Sequence, residues 1–207
     1  MLGRPLEELK LITCHIGAGA SITAIKGGKS FDTSMGFSPL AGVTMATRSG
    51  DVDPSLVAFV QKKLGVSSDE MVDMLNHKSG LLGISGVSSD MRDVEKAKNE
   101  GNERAQLAWD IYVNRIVRYI GAYIAELGGA DAIVFTAGVG ENSITVRQAV
   151  ADKLGYFGIA IDPEKNNIRG VERDLSTDDS KIKTLLIPTN EELMIVHDIE
   201  RLKKASK

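Results

Sequence analysis

Two short apolar runs of strand type each end directly in a glycine-rich segment, and this pairing constrains the fold more than any other feature. Residues 9–15 lead into Gly17 and Gly19, and residues 131–136 lead into a segment over 137–142 with two further glycines. Strands that end in glycine-rich connections are typical of α/β domains, whose sites lie at strand ends. The sequence therefore predicts an α/β domain with chemistry at these two junctions.

Both glycine-rich segments have the composition of a phosphate-binding turn. Glycine lets backbone N–H groups approach a phosphate closely, and the second segment precedes a helix N-terminus, which favours an anion. Neither matches the phosphate-loop pattern G-x-x-x-x-G-K-S/T or the dinucleotide pattern G-x-G-x-x-G. For each segment alone, a plain tight turn is the favoured interpretation. Two of them in one small domain favour phosphate binding.

The remaining pattern predicts an antiparallel start followed by interleaved helices. Strands over 21–26 and 29–33 are joined by a Gly27-Gly28 hairpin turn, and a last strand covers 181–187. Residues 33–53 and 80–89 show no sustained periodicity of apolar residues and are predicted to be loops. Helices are predicted from capping residues and apolar spacing over 54–64, 68–77, 103–127, 143–154 and 191–203, with a short one from Asp90. The result is a mixed sheet flanked by helices.

Composition excludes several classes of protein. The 207 residues carry 25 Lys+Arg and 28 Asp+Glu, a net charge of −3, which provides no field to hold a nucleic-acid backbone. One cysteine excludes an internal disulfide framework, and three separated histidines do not form a metal-binding motif. No run approaches the roughly 18 apolar residues of a membrane helix, and the first ten residues have no apolar core long enough for a signal peptide, so we expect none. We expect a cytoplasmic protein without nucleic-acid or membrane partners.

Three charged positions have both a catalytic and a structural interpretation. Arg48 could place a fixed cation on a transferring phosphoryl group, but the residues alone favour pairing with Asp51 or Asp53. Glutamates at Glu191 and Glu192 usually complement a helix dipole, and the alternative is that one of them binds Mg²⁺. The segment from Asp90 could likewise be only a helix cap with local charge pairing.

Several motifs, in order along the chain, resemble the acetate kinase family. They are His15-Ile-Gly-Ala-Gly-Ala-Ser21, Asp32-Thr-Ser-Met-Gly-Phe-Ser-Pro39, Thr47-Arg-Ser-Gly-Asp-Val-Asp-Pro54, Asp90-Met-Arg-Asp-Val-Glu95, Phe135-Thr-Ala-Gly-Val-Gly-Glu-Asn142 and Thr189-Asn-Glu-Glu192. The resemblance covers essentially the whole chain but only the C-terminal half of a usual family member. It implies a ribonuclease-H-like α/β domain of the acetate and sugar kinase, Hsp70 and actin superfamily, in which ATP binds between two such domains.

The resemblance also implies an activity and the residues that carry it. The reaction is phosphoryl transfer between ATP and acetate, which yields ADP and acetyl phosphate and uses Mg²⁺. Arg48 is then the catalytic arginine and Glu191 a residue of the magnesium site. The residues implied to bind ATP are His15, Ile16, Gly17, Ala18, Gly19, Asp90, Met91, Arg92, Gly138, Val139, Gly140, Glu141 and Asn142.

Three positions depart from the family pattern. Ala18 replaces an asparagine whose amide could donate to a phosphate oxygen, a hydrogen bond worth about 1.5–3 kcal/mol if the acceptor is charged. Ala46 replaces a glycine and narrows the backbone angles available next to Arg48. Met91 replaces an aromatic residue beside the adenine. We expect adenine binding to survive, with phosphate positioning weakened.

The resemblance further predicts what surrounds this domain. Residues 1–207 are expected to be a single C-terminal nucleotide-binding domain that joins an N-terminal domain, absent from this chain, as its intramolecular partner. The family usually forms homodimers through this half, and the helix from Glu103 could contribute, although core packing explains its apolar stripe more simply. The alternatives are a butyrate or propionate kinase fragment, a non-catalytic nucleotide-binding or dimerisation module, and a chaperone or actin-like ATPase.

Overall fold

A mixed β-sheet forms the centre of the computed structural model, which describes residues 1–205. The strand bounds are Lys10–Ile16 (β1), Ala20–Lys26 (β2), Lys29–Thr33 (β3), Ala132–Thr136 (β4), Arg173–Asp174 (β5) and Lys183–Leu186 (β6). Within the described residues the order across the sheet is β3-β2-β1-β4-β6-β5. The predicted mixed sheet is confirmed.

The register of the central strands brings the two glycine-rich segments together. Strand β1 pairs with β2 in the antiparallel sense and with β4 in the parallel sense, with His15 opposite Thr136. Strand β6 runs parallel to β4 on its other side. Because parallel strands end at the same edge of a sheet, the segments that follow β1 and β4 emerge side by side.

Nine α-helices and two short 3-10 helices, Leu6–Glu8 and Gly155–Phe157, occur within residues 1–205. The bounds of the α-helices are Pro54–Leu64 (α1), Ser68–His77 (α2), Gly80–Ser85 (α3), Met91–Asn99 (α4), Glu103–Leu127 (α5), Ala137–Asn142 (α6), Ile144–Lys153 (α7), Pro163–Asn166 (α8) and Glu191–Ala205 (α9). None of the helices in this part of the chain is both long and apolar enough to span a membrane.

The helix starts follow the capping residues that the sequence presents. Asp53 accepts a hydrogen bond from the Ser55 amide, and Pro54 stands at the first helical position of α1. Ser67 and Glu70 form a reciprocal capping box at α2, and Asn102 caps α5. These local signals act within four residues, which is why the boundaries could be predicted closely.

Helix α5 packs along the sheet and supplies much of the hydrophobic core. Its buried side chains share one face: Ala105, Ala108, Trp109, Tyr112, Val113, Ile116, Ile120, Tyr123, Ile124 and Leu127. They pack against the buried residues of β1 and β2, including Ile12 and Ile22. Core packing is therefore the explanation of the apolar stripe on this helix.

Two segments predicted to be irregular are helical. In α3 the first amides donate to distant carbonyls, Leu81 N to Met45 O at 2.9 Å and Leu82 N to Ala46 O at 3.0 Å. These long-range bonds satisfy the unpaired N–H groups of a short helix start, and no local pattern reveals them. The segment over 137–142 is also a helix, α6, whose last carbonyls receive bonds from a buried arginine described below. Strand β5 and helix α8 were not predicted.

Candidate functional site

A cavity of about 980 Å³ opens at the sheet edge where β1 and β4 end. Eight of the residues predicted to bind ATP line it: Gly17, Ala18, Asp90, Met91, Arg92, Gly138, Val139 and Asn142. They come from three segments far apart in sequence, the turn after β1, the start of α4 and helix α6. Tertiary folding thus brings the three predicted nucleotide-binding motifs onto one surface.

Five other residues with the same prediction do not line the cavity, for reasons of local geometry. Ile16 is fully buried in β1, and a Cβ on Gly140 would meet the Cys14 carbonyl oxygen at 3.5 Å, so this glycine packs on the strand. His15 and Gly19 flank the lining residues of the turn, and Glu141 turns its carboxylate towards backbone amides. Arg48 and Glu191 also lie outside the cavity wall.

The turn after β1 is closed on itself and held by a neighbouring loop. The Gly17 amide donates to the Gly19 carbonyl oxygen at 2.9 Å, and the Ala46 amide donates to the Ala18 carbonyl oxygen at 3.1 Å. A Cβ on Gly17 would lie 3.3 Å from the Gly19 oxygen, tighter than most side chains allow. Ala18 itself is exposed to the cavity, where a larger side chain has room.

Arg48 is held over the glycine turn and is not paired with a nearby carboxylate. Its Nη1 lies 3.3 Å from the position of a Cβ on Gly19, and it donates to the Pro39 carbonyl oxygen at 3.4 Å. Within residues 1–205 it forms no ion pair with Asp51 or Asp53. The predicted pairing is wrong, which leaves the guanidinium available to an anion at the turn.

Asp51 closes the loop that carries Arg48. Its Oδ1 accepts from the Gly42 amide at 2.8 Å, and its own amide donates to the Gly42 carbonyl oxygen at 2.9 Å. Its Oδ2 accepts from the Tyr119 hydroxyl of α5 at 2.6 Å. Burial, and then this hydrogen bond, raise the pKa of Tyr119 to about 12. The loop is therefore tied to the core helix.

Asp90 caps helix α4 and also lines the cavity. Its Oδ1 accepts from the Arg92 amide at 2.9 Å and caps α4, and the Arg92 Nε donates to the same oxygen at 3.0 Å. The Arg92 side-chain hydrogen bond, together with the backbone bond, lowers the pKa of Asp90 to about 2. Both residues nevertheless line the cavity, so helix capping and ligand contact are compatible there.

Two arginines organise the α6 wall, and neither was singled out from the sequence. Arg147 is fully buried and donates to the carbonyl oxygens of Gly140, Glu141, Asn166 and Ile168 and to the Asn166 side chain, at 2.8–2.9 Å. Burial lowers its pKa to about 10. Arg169 lines the cavity and donates from Nε to the Asn142 carbonyl oxygen at 3.0 Å. The only sequence signal was a charged residue between apolar positions of α7.

Further cavity residues were not predicted to bind a ligand, although Glu95 ends one of the quoted motifs and Ala46 precedes another, because tertiary packing brings them to the wall. They are Ala46, Leu81, Ser89, Glu95, Tyr112, Ser143, Ile144 and Thr145. Tyr112 forms part of the floor and is almost wholly buried, and its hydroxyl has no hydrogen-bond partner among the described residues. The cavity therefore combines an apolar floor with polar groups at its rim, as ligand sites commonly do.

Glu191 stands at the exposed start of α9, beside the end of β4. Asn190 caps this helix by accepting from the Leu193 amide at 3.0 Å, and Thr189 Oγ1 lies 2.6 Å from Thr136 Oγ1. Among residues 1–205 no group of three or more acidic, histidine or cysteine side chains could enclose a metal. Mg²⁺ needs only one or two carboxylates when phosphate and water complete its shell, so a lone exposed Glu191 fits that chemistry.

Comparison with known proteins agrees with this geometry. The acetate kinase of Limosilactobacillus fermentum is 76% identical over 204 residues, 99% of this chain and 51% of that protein. The crystal structure of Porphyromonas gingivalis acetate kinase matches with a TM-score of 0.90 and 47% identity, over 93% of this chain and 48% of that one. A propionate kinase structure from Francisella tularensis matches with a TM-score of 0.84 and 43% identity, over 89% and 47%.

The chain thus spans about half the length of the relatives it matches. The family model of the acetokinase family matches residues 1–197, nearly the whole chain. The fold that the motifs imply is therefore confirmed by sequence and by structure. This chain belongs to the acetokinase family.

Proposed function

We propose that this chain is the C-terminal, nucleotide-binding half of a kinase that transfers a phosphoryl group between ATP and acetate. One observation carries the proposal: the three sequence-distant motifs implied to bind nucleotide line a single cavity. That cavity lies at the carboxyl ends of parallel strands β1 and β4, where α/β proteins bind their ligands. ATP and ADP are then the nucleotide ligands, and acetate and acetyl phosphate are the other substrates.

Catalysis of phosphoryl transfer depends mainly on positioning the reactants and on fixed positive charge, because the protein itself forms few covalent bonds in the reaction. Arg48 is held at the turn after β1 by an anchored loop and can stabilise charge on the equatorial oxygens. Glu191 would hold Mg²⁺ together with phosphate oxygens and water. When bound, the ion would neutralise part of the charge on the phosphates.

The relatives favour acetate as the substrate that accepts the phosphoryl group. Proteins named acetate kinase reach 76% identity, whereas the propionate kinase structure is 43% identical. A propionate or butyrate kinase remains the sibling candidate, because the residues that would contact the acyl chain are expected in the other half. A non-catalytic nucleotide-binding module is the second class of candidate, favoured by the alanines at Ala18 and Ala46.

Two exposed surfaces support the proposed protein partners. Helix α9 exposes Leu193, Met194, Ile195 and Val196 around most of its circumference, and these apolar side chains would suit burial against the N-terminal domain as intramolecular partner. Since the stripe of α5 is core, the homodimer would use another apolar surface, such as the exposed Leu56, Phe59 and Leu64 of α1. We place the kinase in the cytoplasm, where its donor ATP is made and consumed.

Isothermal titration with Mg·ADP tests the nucleotide-binding part directly. We expect saturable heat and a rise in melting temperature, with both reduced in Gly138→Val, which crowds the cavity wall. A chain that gives no heat and no thermal shift at millimolar Mg·ADP would contradict the proposal. An exposed surface substitution such as Lys62→Ala serves as the matched control.

Turnover distinguishes the kinase from a binding module. We expect the chain alone to form little acetyl phosphate in a hydroxamate assay, because half of the substrate clamp is supplied elsewhere. Joining it to the N-terminal half of the acetate kinase from Limosilactobacillus fermentum should restore formation of the acyl phosphate. Nucleotide binding without turnover in that chimera would favour the module instead.

A further inference from the structure

Glu141 joins two parts of the site that are far apart in sequence. Its Oε1 accepts from the Ala137 amide at 2.8 Å and from the Thr189 amide at 2.9 Å. The first amide opens α6, the wall of the nucleotide cavity, and the second lies two residues before Glu191. A single carboxylate oxygen therefore connects the nucleotide wall to the turn that carries the proposed magnesium ligand.

A second contact closes the same junction. Thr189 Oγ1 lies 2.6 Å from Thr136 Oγ1 and accepts from the Ala137 amide at 3.2 Å. The end of β4, the start of α6 and the turn before α9 therefore meet at one point. Beyond this junction, residues 191–200 of α9 are exposed, so little else positions the start of that helix.

The backbone at this junction is strained. Ala137 has a φ of 64°, the one non-glycine residue with a positive φ in the described part of the chain. An alanine adopts the left-handed region only where surrounding contacts enforce it, and such strain clusters at functional sites. Its amide is the group that both Glu141 and Thr189 accept from, so the junction also accounts for the strained conformation.

We propose that Glu141 is a positioning residue that latches the Glu191 turn to α6, and that it does not contact the nucleotide. This inference rests on the proposed nucleotide and magnesium sites. A carboxylate that binds phosphate-bound Mg²⁺ must sit at a fixed distance from the phosphates, and those are placed by the cavity. The latch makes the cavity wall and the turn one rigid unit, which couples Mg²⁺ binding to nucleotide binding.

The test measures that coupling by titrating ADP into the chain with and without Mg²⁺. In the unaltered chain we expect Mg²⁺ to strengthen ADP binding. In Glu141→Ala that enhancement should fall by about tenfold, the range of typical coupling between sites. Glu141→Gln should keep most of it, since its amide oxygen can still accept from both amides. Glu126→Ala, an exposed residue of α5, is the control.

Hydrogen exchange supplies a second readout of the same latch. Glu141→Ala should speed exchange of the Ala137 and Thr189 amides together, whereas Glu141→Gln should leave both protected. If Glu141→Ala does not fold, Glu141→Asp, whose carboxylate is one methylene shorter, takes its place in both measurements.

The outcomes separate the latch from the function on which it rests. An unaltered chain that fails to bind Mg·ADP overturns the proposed function and the inference with it. An unaltered chain that binds Mg·ADP, while Glu141→Ala keeps the full Mg²⁺ enhancement, overturns the latch alone. A lower melting temperature with unchanged enhancement belongs to this second outcome, because a merely structural role predicts it.

Discussion

Replacing Arg147 with methionine should destabilise the α6 wall more than any exposed substitution. Its guanidinium is fully buried and makes five hydrogen bonds, four of them to carbonyl oxygens. Two of those carbonyls retain another donor, since Glu141 O also accepts from Gly170 N and Asn166 O from Ile168 N. The substitution would remove the guanidinium donor from three other acceptors: the carbonyl oxygens of Gly140 and Ile168 and the side-chain oxygen of Asn166.

The size of the effect follows from those three acceptors. A buried polar group left without a partner costs about 1–3 kcal/mol, so three cost about 3–9 kcal/mol. Burial lowers the pKa of Arg147 to about 10, so the charge is itself unfavourable in this position and its removal offsets part of the loss. We therefore expect the free energy of unfolding to fall by about 3 kcal/mol, near the lower bound.

Thermal and urea unfolding measure this difference. For a chain of this size 1 kcal/mol corresponds to about 2–4 °C, so the melting temperature should fall by about 6–12 °C. Arg118→Met, on the exposed face of α5, is the matched control and should change the free energy of unfolding by less than about 0.5 kcal/mol. A loss below about 1 kcal/mol in Arg147→Met would refute the view that these carbonyls depend on the guanidinium.

Three other substitutions test the loops and the cavity. Gly50→Ala should lower stability by more than about 2 kcal/mol in urea unfolding, since its φ is +69° and a Cβ would lie 2.5 Å from the Gly42 carbonyl oxygen; an unchanged midpoint would contradict this. The pKa of Asp90 is lowered to about 2, so its contribution to stability is complete above its ordinary pKa of 3.8 and is lost as the pH falls towards 2. In Asp90→Asn the free energy of unfolding should therefore change less between about pH 4 and pH 2, and the same pH dependence as in the unaltered chain would refute this. Ala18→Asn should tighten Mg·ADP binding by about tenfold in calorimetry by restoring an amide donor to phosphate, and unaltered affinity would show that Ala18 costs nothing.

Local sequence signals predicted the helix boundaries that depend on neighbouring residues. The capping box of Ser67 and Glu70, the proline start of α1 and the glycine after α5 act within a single turn of helix. Helix α3 was missed because its first amides donate to Met45 and Ala46, some 36 residues earlier, and a local pattern cannot represent that distance.

In the candidate site, too, residues in motifs could be predicted from the sequence, whereas residues placed by tertiary packing could not. Motif residues around Gly17, Asp90 and Gly138 could be predicted to share a site, and they do line one cavity. Arg147 and Arg169 belong to no motif, because they act through carbonyl oxygens that any residue type can present. The pairing predicted for Arg48 was wrong because Asp51 already serves the Gly42 amide and the Tyr119 hydroxyl.

By itself the sequence determined the family, the mixed α/β class and the identity of the motifs, since these depend on residue types, spacing and local periodicity. Only the tertiary structure decided which motif residues face the cavity, because the parallel pairing of β1 with β4 sets the common edge. It also decided that Glu141 turns to the Ala137 and Thr189 amides, a choice made by the fold of α6 and the approach of a distant turn. Directions of side chains follow from packing between segments far apart in sequence, and that packing exists only in the folded chain.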